Sequence, residues 1–426
     1  MSNKSIKAIK GTFDILPSET PLWTHIEEVS RKTFEQYGFE EMRTPVFEAT
    51  ELFVRSIGEV TDIVQKEMYT FTDPGERSLT LRPEGTAPVV RAYLEHRIHV
   101  NQPFVKYYYI GPMFRRERPQ AGRTRQFHQV GVEAIGSDSP GVDVETIALA
   151  YRLFVQLGID DVSIRLNSVG CKPCKENYSG LLRKFLKPRI SELCNDCKQR
   201  IDRNVFRVLD CKETACRKVV AEAPSILDSL CKPCSEHFDE VCKLLENIDV
   251  PVNIDPRLVR GLDYYTRTVF ELNHSALGAK DAVGAGGRYD NLIEEMGGPA
   301  KPAIGFAIGL ERTIMILKKK GADKVSSDKD KVYLISLGQY AFELNFKLLE
   351  KLRRCGINAS MDPEPRSTKA QMRAADRIGA AIAIIRGDRE IEEGVVMLRD
   401  MRKGNEDTIR KDNVIDKLLE KLQGEN

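Results

Sequence analysis

Long apolar segments are missing from this sequence of 426 residues. The longest purely apolar run, Ala380 to Ile385, is far shorter than the roughly 20 residues that a membrane-spanning helix needs. The first residues, Met1 to Phe13, contain no apolar core of the kind that signal peptides have. We therefore expect a cytoplasmic protein that does not enter the membrane.

An excess of charge of one sign is missing as well. The 65 basic and 63 acidic side chains leave a net charge of +2, which neither indicates nor excludes a nucleic-acid partner. A hydrophobic content of 41% and a charged content of 30% are typical of a soluble globular protein, and the length allows two or three domains. A phosphate-binding surface would therefore have to come from a local cluster of basic residues.

Cysteine is scarce outside one region, because nine of the ten cysteines fall between Cys171 and Cys242. In a reducing compartment such density favours metal binding or simple packing over disulfides. The motifs Cys171-x₂-Cys174 and Cys194-x₂-Cys197 together have the spacing of a four-cysteine zinc site. A second set of ligands is available at Cys211, Cys216, Cys231 and Cys234. Structural zinc and reduced, partly buried thiols remain alternatives of about equal weight.

Helices and strands are mixed in the part of the chain before residue 318. Apolar periodicity predicts a helix from Ser18 to Tyr37, two strands with a joining loop between Phe104 and Gly136, and a strand from Leu258 to Leu272. The glycines from Gly284 to Gly287 predict a tight turn.

A polar run from Lys318 to Lys331 then indicates a linker. Beyond it, the pattern predicts a strand from Val332 to Leu337, a helix from Phe342 to Arg354 and a buried strand from Ala380 to Ile385. This alternation indicates a separate α/β domain with a largely parallel sheet.

Basic residues are concentrated in the loop of the hairpin, where five arginines and one glutamate lie between Arg115 and Arg125. Like charges at this density repel one another unless a polyanion meets them, and arginine favours bidentate phosphate recognition. In the second strand, Phe127, Gln129, Gly131 and Glu133 share one face because strand side chains alternate. An amide and a carboxylate on either side of a glycine predict the floor of a small polar pocket.

The hairpin resembles motif 2 of the class II aminoacyl-tRNA synthetases. The matching residues are Phe114-Arg115-x-Glu117, a loop, and Arg123-x-x-x-Phe127. In that family the first arginine binds the α-phosphate of ATP, the glutamate and the second arginine contact the nucleotide, and the phenylalanine stacks on adenine. The resemblance therefore implies an ATP site at this hairpin.

Two further segments resemble the other motifs of that class. Residues 305–312, Gly-Phe-Ala-Ile-Gly-Leu-Glu-Arg, resemble motif 3, whose closing arginine, here Arg312, covers the other side of the ATP. The N-terminal helix and the segment around Pro45 resemble motif 1, which forms the dimer in that class. The resemblance thus implies a homodimer.

Two signatures narrow the resemblance to the histidyl-tRNA synthetases. Leu258-Val-Arg-Gly-Leu-Asp-Tyr-Tyr-Thr-Arg-Thr-Val-Phe-Glu271 and Ala285-Gly-Gly-Arg-Tyr-Asp290 are similar to the two signature segments of that family. The resemblance covers nearly the whole chain. It implies an α+β catalytic domain on an antiparallel sheet at residues 1–325, including an inserted, mainly helical, cysteine-rich domain at about 171–245, and an anticodon-binding α/β domain at 331–426.

The resemblance also assigns residues to the histidine pocket. Glu84, Thr86 and Gln129 match the positions that hold the ammonium group of histidine, and Glu133 and Tyr265 match those that grip the imidazole. Such a pocket suits a zwitterion with two ring nitrogens, since each polar group then finds a partner.

The catalytic residues implied by the resemblance are two arginines. Arg260 matches an arginine near the α-phosphate and the histidine carboxylate, Arg115 matches the arginine that binds the α-phosphate and is also assigned to the histidine pocket, and Tyr264 matches a residue that lines the pocket. The expected reaction is attack of the histidine carboxylate on ATP, with Mg²⁺ on the β- and γ-phosphates, followed by transfer of histidine to tRNA(His).

Basic side chains elsewhere are candidates for tRNA contact. Arg116 and Arg118 in the hairpin loop are candidates for the acceptor end of the tRNA. Lys369, Arg373 and Arg377 recur every four residues and form one stripe on a helix, with Arg366 just before it. By spacing alone a solvated face is an equal alternative, and the implied anticodon-binding domain favours RNA.

Two other functions compete with this hypothesis. A non-catalytic regulatory paralogue of histidine biosynthesis would keep the catalytic fold but lack the anticodon-binding domain. A cysteine-rich, zinc-dependent RNA-binding protein would not need the set formed by Glu84, Gln129 and Glu133.

Overall fold

The computed structural model describes residues 6–58, 61–120, 122–278, 281–322 and 331–423. The chain forms two compact units, Met1–Lys324 and Val325–Asn426. Of the predicted linker, Lys318 and Lys319 belong to the end of a helix, and residues 323–330 lie outside the described residues.

The first unit contains eleven strands and eleven α-helices among its described residues. The strands are β1 (Glu40–Glu41), β2 (Phe47–Ala49), β3 (Tyr69–Thr72), β4 (Ser78–Leu81), β5 (Val105–Phe114), β6 (Gln126–Ile135), β7 (Ser163–Ser168), β8 (Val252–Ile254), β9 (Thr266–Asn273), β10 (Ala282–Arg288) and β11 (Ala303–Gly309). The helices are α1 (Thr20–Gln36), α2 (Thr50–Ile57), α3 (Thr86–Glu95), α4 (Ile98–Asn101), α5 (Pro140–Gln156), α6 (Lys172–Leu186), α7 (Asn195–Arg203), α8 (Thr214–Ala221), α9 (Lys232–Asn247), α10 (Leu292–Glu295) and α11 (Leu310–Lys319).

Eight of these strands form one sheet in the order β1-β5-β6-β11-β10-β9-β7-β8. The neighbours from β5 to β7 are antiparallel, and the two outermost pairs, β1 with β5 and β7 with β8, are parallel. This confirms the expected antiparallel sheet. Helices α1 and α5 pack on it through buried apolar residues such as Phe34 and Phe154. Strands β2, β4 and β3 form a separate three-stranded antiparallel sheet.

The prediction of a turn at the glycine segment is wrong. Gly284 to Gly287 lie inside β10, between β9 and β11. A Cβ atom on Gly286 would lie 2.3 Å from the carbonyl oxygen of Gly305, and one on Gly284 would lie 2.6 Å from Ile308. Glycine is needed here because neighbouring chains approach closely.

The strand predicted from Leu258 is also too long, because it begins only at Thr266. The preceding loop bonds to side chains instead of to a neighbouring strand. The carbonyl oxygen of Leu258 accepts a hydrogen bond from Asn167 Nδ2 at 2.9 Å, and that of Gly261 accepts one from Arg207 at 3.0 Å. These contacts satisfy the backbone without a ladder.

A mainly helical insertion joins β7 to β8. It consists of α6, α7, α8 and α9 with short 3₁₀ turns between them. Its apolar core includes Tyr178, Leu182, Ile201 and Val219, each nearly inaccessible to solvent. Helix α9 of the insertion also packs against α5, which lies outside the insertion in the same unit.

The second unit is a five-stranded sheet with helices. Its elements are β12 (Lys331–Ser336), α12 (Gln339–Arg354), β13 (Ala359–Met361), α13 (Thr368–Arg377), β14 (Ala380–Arg386), α14 (Asp388–Glu392), β15 (Val395–Asp400), β16 (Glu406–Arg410) and α15 (Val414–Gln423). The strand order is β13-β12-β14-β15-β16. Strands β13, β12 and β14 are parallel to one another, β15 is antiparallel to β14, and β16 is antiparallel to β15. The sheet is therefore mixed rather than largely parallel, because the connections around β15 are too short for a crossover helix of full length. Among the helices described in both units, none combines the length and apolar character of a membrane span.

Candidate active site

A cavity of about 200 Å³ opens against the central strands of the eight-stranded sheet. Eleven of the twelve predicted histidine and ATP residues line it. They are Glu84, Thr86, Arg115, Glu117, Arg123, Phe127, Gln129, Arg260, Tyr264, Tyr265 and Arg312. The structure thus brings together residues that are far apart in the sequence.

Glu84 lies at one end of the cavity, at the start of α3. Its carboxylate accepts hydrogen bonds from the backbone N–H groups of Thr86 at 2.6 Å and Ala87 at 2.9 Å. Burial raises the pKa of Glu84, and these two donors oppose that rise. Gly85 has to be glycine, since a Cβ atom there would lie 2.3 Å from the ring of Tyr109. The helix end therefore fixes a buried carboxylate in one orientation.

Glu133 is the one predicted residue that does not line the cavity. It is 1% exposed and lies behind the wall, where it accepts hydrogen bonds from the hydroxyls of Thr86 at 2.7 Å and Tyr289 at 2.5 Å. Burial raises the pKa of Glu133 to about 8; nearby Glu84 also raises it, and the two hydroxyl donors oppose the rise. Tyr289 was not predicted, although it belongs to the quoted Gly-Gly-Arg-Tyr-Asp segment.

Tyr109 fills the space above Gly131, on the face that was predicted to form the floor of a small polar pocket. The two residues are directly paired on β5 and β6, and a Cβ atom on Gly131 would lie 2.4 Å from the Tyr109 ring. Burial raises the pKa of the Tyr109 phenol well above its usual range. The glycine on the pocket face therefore accommodates a neutral phenol.

Tyr264 and Tyr265 both face the cavity, with ring centroids 4.8 Å apart. Tyr264 also packs edge-on against Tyr289, with centroids 5.8 Å apart. Burial raises the pKa of Tyr265 to about 12 and that of Tyr264 well above its usual value. At neutral pH these phenols are neutral and can donate or accept hydrogen bonds.

Arginine side chains dominate the other end of the cavity. Arg115 stacks over Phe127, 5.4 Å from the ring centroid, and its Nε donates to the carbonyl oxygen of Pro83 at 2.9 Å. Arg123 pairs with Glu117 at 3.0 Å. These contacts hold the guanidinium groups in place while leaving them beside the cavity.

Arg312 approaches the same end from α11. It donates to the carbonyl oxygens of Ala282 and, at 3.4 Å, Gly122. Burial, followed by the neighbouring charge of Arg123, lowers the pKa of Arg312. Two guanidinium groups that repel each other in a partly buried cleft form a site that an anion stabilises.

Arg260 is held by an ion pair with Glu271 on β9, which Arg165 also contacts at 3.3 Å. Burial opposes the ionisation of Glu271, but Arg260 and the neighbouring donors lower its pKa overall. Among the described residues, no partner is found for Nε of Arg260 or for the buried side-chain oxygen of Gln129. These two atoms remain available for a ligand.

Glu311 is a further pocket residue that was not given a role from the sequence. Its carboxylate accepts the backbone N–H of His128 at 2.9 Å and lies 3.0 Å from Nδ1 of that histidine. This contact ties α11 to β6 next to Arg312. The sequence feature that could have identified Glu311 is its position immediately before Arg312, the arginine of the motif 3 segment.

The four cysteines predicted as one zinc set do not come together, so the predicted combination is wrong. The structure instead forms two clusters, Cys171, Cys174, Cys231 and Cys234, and Cys194, Cys197, Cys211 and Cys216. Sequence spacing did not distinguish these pairings, because the helices between the motifs decide which thiols meet.

The basic residues proposed for tRNA contact are solvent-exposed and lie away from the cavity lining. Arg116 and Arg118 are exposed in the hairpin loop. In the second unit, Lys369, Arg373 and Arg377 are exposed along α13, whose buried face consists of Gln371 and Ala375.

The antiparallel sheet, the arginine cluster formed by the motif 2 and motif 3 segments, and the adjoining acidic pocket together define a class II aminoacyl-tRNA synthetase. Family models for histidyl-tRNA synthetase and for an anticodon-binding domain match residues 11–313 and 331–421. The chain belongs to the histidyl-tRNA synthetase family.

Similar proteins cover almost the whole chain. A histidine–tRNA ligase of Halothermothrix orenii is 50% identical over 413 residues, 97% of this chain and 99% of that one. One of Pelotomaculum thermopropionicum is 48% identical over 415 residues, 97% of this chain and 98% of that one. The crystal structure of the apo histidyl-tRNA synthetase of S. aureus has a TM-score of 0.82 and 37% identity, covering 97% of this chain and 99% of that one.

A further solved structure shares the fold at lower similarity. A structure from Bacillus halodurans, described as an ATP phosphoribosyltransferase regulatory subunit/histidyl-tRNA synthetase, has a TM-score of 0.66 and 20% identity, covering 91% of this chain and 99% of that one. At this identity the likeness extends to the fold alone.

Proposed function

We propose that this protein activates L-histidine with ATP to form histidyl-adenylate and pyrophosphate, and then transfers histidine to the 3′ end of tRNA(His), releasing AMP. The observation that carries the proposal is the charge division of the cavity. The buried carboxylates of Glu84, in the wall, and of Glu133, behind it, lie toward one end, and the guanidinium groups of Arg115, Arg123 and Arg312 lie toward the other. An amino acid with a cationic end and a nucleotide with an anionic end match these two halves.

The acidic end supports recognition of a cation. Glu84 and Glu133 are both buried, and burial is the largest influence on each pKa. An ammonium group near Glu84 and Gln129 would compensate the charge that burial disfavours. Tyr265 and Glu133, directly or through Tyr289, would pair with the imidazole nitrogens.

The basic end supports binding of the triphosphate. Stacking of adenine on Phe127 would place the phosphates among Arg115, Arg123 and Arg312. Among the described residues that line the cavity, the acids at this end are Glu117 and Glu311, which are already engaged with Arg123 and His128. Mg²⁺ is therefore expected to arrive with ATP, held chiefly by phosphate oxygens and water.

The first chemical step joins the two ends of the cavity. A carboxylate oxygen of histidine attacks the α-phosphorus as the bond from that phosphorus to the pyrophosphate oxygen breaks. Arg115 and Arg260 would stabilise the charge that develops on the α-phosphate oxygens. In the second step a ribose hydroxyl at the tRNA end attacks the histidyl carbonyl carbon, and AMP leaves.

Histidine-dependent exchange of pyrophosphate into ATP tests this function directly. We expect exchange with histidine and ATP, and no exchange when histidine is replaced by another amino acid. The regulatory alternative predicts no exchange with either, although the catalytic fold would still bind histidine. Failure of exchange in a folded, metal-replete preparation would contradict the proposed activity.

We also propose that two chains form a homodimer through the three-stranded sheet. Directly opposed residues share one face of an antiparallel sheet. One face of this sheet therefore carries Phe47, Tyr69, Phe71, Leu79 and Leu81. Phe47 and Phe71 are 49% and 44% exposed, a pattern that favours burial by a partner.

Sedimentation equilibrium tests the dimer. Phe47→Glu with Phe71→Glu should convert a dimer to monomers, whereas Phe346→Glu, at a residue 60% exposed in the other unit, should not. Equal masses for both variants would argue against this interface.

A cytoplasmic location, which the abundance of free cysteines supports, is checked by cell fractionation.

A further inference from the structure

Eight cysteines of the insertion are arranged as two groups of four thiols. Site A consists of Cys171, Cys174, Cys231 and Cys234, and site B consists of Cys194, Cys197, Cys211 and Cys216. Within each group the four sulfur atoms lie within 4.8 Å of one another. We propose that each site binds one zinc ion through four thiolates, and that the two ions hold the insertion against the loop that carries Arg260, Tyr264 and Tyr265.

The sulfur distances suit a single tetrahedral ion. With a Zn–S bond of about 2.3 Å, the sulfurs of a tetrahedron are about 3.8 Å apart. In site A the Cys171 sulfur lies 3.5 Å from that of Cys174 and 3.8 Å from that of Cys231. In site B the sulfurs of Cys194 and Cys211 are 3.8 Å apart. An iron–sulfur cluster would hold its thiolates further apart, because several metal atoms lie between them.

Disulfides fit this arrangement less well. A disulfide joins two sulfurs at about 2.05 Å and leaves both without another bonding partner. Cys171 instead has two sulfur neighbours at similar distances. Four mutually close thiols are the ligand set that zinc uses in structural sites.

Site A is built from two matching helix starts. Cys171 precedes α6 and Cys231 precedes α9, and each begins the same tetrapeptide, Cys-Lys-Pro-Cys, whose second cysteine lies in the first turn. The N-terminal ends of both helices thus face the sulfurs, and this end of a helix stabilises negative charge. The backbone N–H of Cys231 also donates to the Cys174 sulfur at 3.1 Å.

Site B repeats these features with different spacing. Cys194 precedes α7, and Cys197 and Cys216 lie in the first turns of α7 and α8. The backbone N–H groups of Cys194 and Cys197 donate to the sulfurs of Cys216 at 3.2 Å and Cys194 at 3.5 Å. Such donors surround metal-bound thiolates in the outer shell of a site.

The two sites are nested along the chain. Both motifs of site B lie between the two motifs of site A. Site A therefore joins the start of the insertion to its last helix, and site B joins the helices in between. Without these ions, the long segment would have to be closed by packing alone.

The insertion contacts the pocket loop at residues close to the ligands. Lys175, next to Cys174, donates to the carbonyl oxygen of Asp263 at 3.3 Å. Asn204 donates to the Asp263 carboxylate at 2.8 Å, and Arg207 donates to the carbonyl oxygen of Gly261 at 3.0 Å. Asp263 and Gly261 alternate with the pocket residues of the same loop. Zinc at the two sites would therefore position that loop without touching substrate.

Elemental analysis of the full-length protein, purified under reducing conditions without chelator, tests the sites. We expect two zinc ions per chain, one for each cluster, and no iron. The double variant Cys242→Ser/Cys355→Ser removes the two cysteines outside the clusters and should retain both ions. Less than one zinc per chain, disulfides in the native mass, or iron in place of zinc would each overturn the proposal.

Paired substitutions test which cysteines share an ion. Cys171→Ser/Cys234→Ser removes two ligands of site A and should leave one zinc, whereas Cys171→Ser/Cys194→Ser damages both sites and should leave none. The pairing expected from sequence spacing predicts the reverse order. If a variant does not fold, cobalt substitution of the wild-type protein still tests the four-thiolate coordination of the two sites, since it gives an intense thiolate-to-cobalt absorption that oxygen ligands lack.

The effect on the pocket rests on the proposed function and has its own measurement. Removal of zinc by a mercurial reagent and a chelator should raise the KM for histidine at least about fivefold more than the KM for ATP, and zinc with reductant should reverse the change. Equal changes in both KM values would overturn the positioning role. Absence of exchange in the zinc-loaded protein would contradict the activity while leaving the metal stoichiometry intact.

Discussion

The two ends of the active-site cavity use opposite solutions to the same electrostatic problem. At the acidic end, Glu84 and Glu133 are buried and burial works against their ionisation. At the basic end, burial and then the neighbouring charge of Arg123 lower the pKa of Arg312. Each end is thus strained in the absence of a ligand of opposite charge, and binding relieves that strain.

The ends also differ in how their side chains are held. Helix N–H groups and hydroxyls orient the carboxylates of Glu84 and Glu133. Carbonyl oxygens and carboxylates orient the arginines, as Pro83 does for Arg115 and Glu271 for Arg260. Under the proposed function, the acidic end would serve recognition of histidine and the basic end would stabilise charge during the reaction.

Replacement of Arg260 should give the largest effect and would test the division most severely. Arg260→His should reduce histidine-dependent pyrophosphate exchange by at least about 100-fold, because it removes a preorganised donor from the transition state. The KM values should change much less than kcat. Near-normal adenylate formation would remove Arg260 from the mechanism.

A matched control for this variant is available on the same carboxylate. Arg165 also contacts Glu271 but does not line the cavity. Arg165→His should therefore reduce exchange by less than about tenfold. A loss equal to that of Arg260→His would indicate that both arginines act only by positioning Glu271.

One carboxylate at each end allows the division to be tested by binding. Glu84→Gln should raise the KM for histidine by roughly 10- to 100-fold, since a charged hydrogen bond contributes about 1.5–3 kcal/mol. Glu117→Gln should instead raise the KM for ATP, by about tenfold or less, because its pair with Arg123 is partly exposed.

The two variants act as controls for each other in steady-state exchange assays. Each should leave the KM for the other substrate within about threefold of the wild-type value. If Glu84→Gln weakened the binding of both substrates equally, loss of the hydrogen bonds that Glu84 accepts at the start of α3 would explain the result, rather than loss of a histidine contact.

Sequence reasoning identified the side chains of both ends but not all of their surroundings. Strand alternation correctly placed Phe127 and Gln129 on the cavity side of β6. It did not predict that Tyr109 occupies the space above Gly131, because that ring comes from the adjacent strand and depends on register. The motifs were recognisable locally, whereas the contacts between strands required the tertiary structure.

The same limit explains the errors in the fold. Glycines at Gly284 and Gly286 indicated a turn, but their role is close approach of β11, which single-sequence patterns do not distinguish. The cysteine pairing failed for a related reason, since motif spacing does not reveal which helix starts converge.

Glu133 provides a pH-dependent test of the acidic end. Its pKa of about 8 in the folded protein is above its ordinary value of 4.5, so the folded state binds this proton more tightly than the unfolded state. The associated stability is fully present below about pH 4.5 and is lost as pH rises through about 8, at up to about 1.4 kcal/mol per pH unit.

Thermal unfolding of wild-type protein and Glu133→Gln measures this contribution. Without ligand, the Tm of the wild type should fall relative to that of the variant between about pH 5 and about pH 8. Histidine should reduce the slope in the wild type, because a bound cation favours the carboxylate. Parallel curves for the two proteins would show that Glu133 does not carry the proton.

The smallest effect is expected at exposed basic residues, whose side chains are not held in place as those of the arginines beside the cavity are. Lys369 and Arg373 are exposed along α13, so each contributes as a screened charge rather than an oriented donor. Lys369→Glu/Arg373→Glu should raise the KM for tRNA by about three- to tenfold and leave pyrophosphate exchange unchanged. Aminoacylation at increasing salt supplies the measurement, since removal of two phosphate contacts should reduce the salt dependence by a slope of about 1.5.

Glu364→Gln/Asp376→Asn, which changes exposed acids near the same helix, is the matched control and should not raise the KM. An unchanged KM in the charge-reversed protein would identify the stripe as a solvated face, and tRNA contact would then have to come from other exposed basic residues such as Arg116 and Arg118.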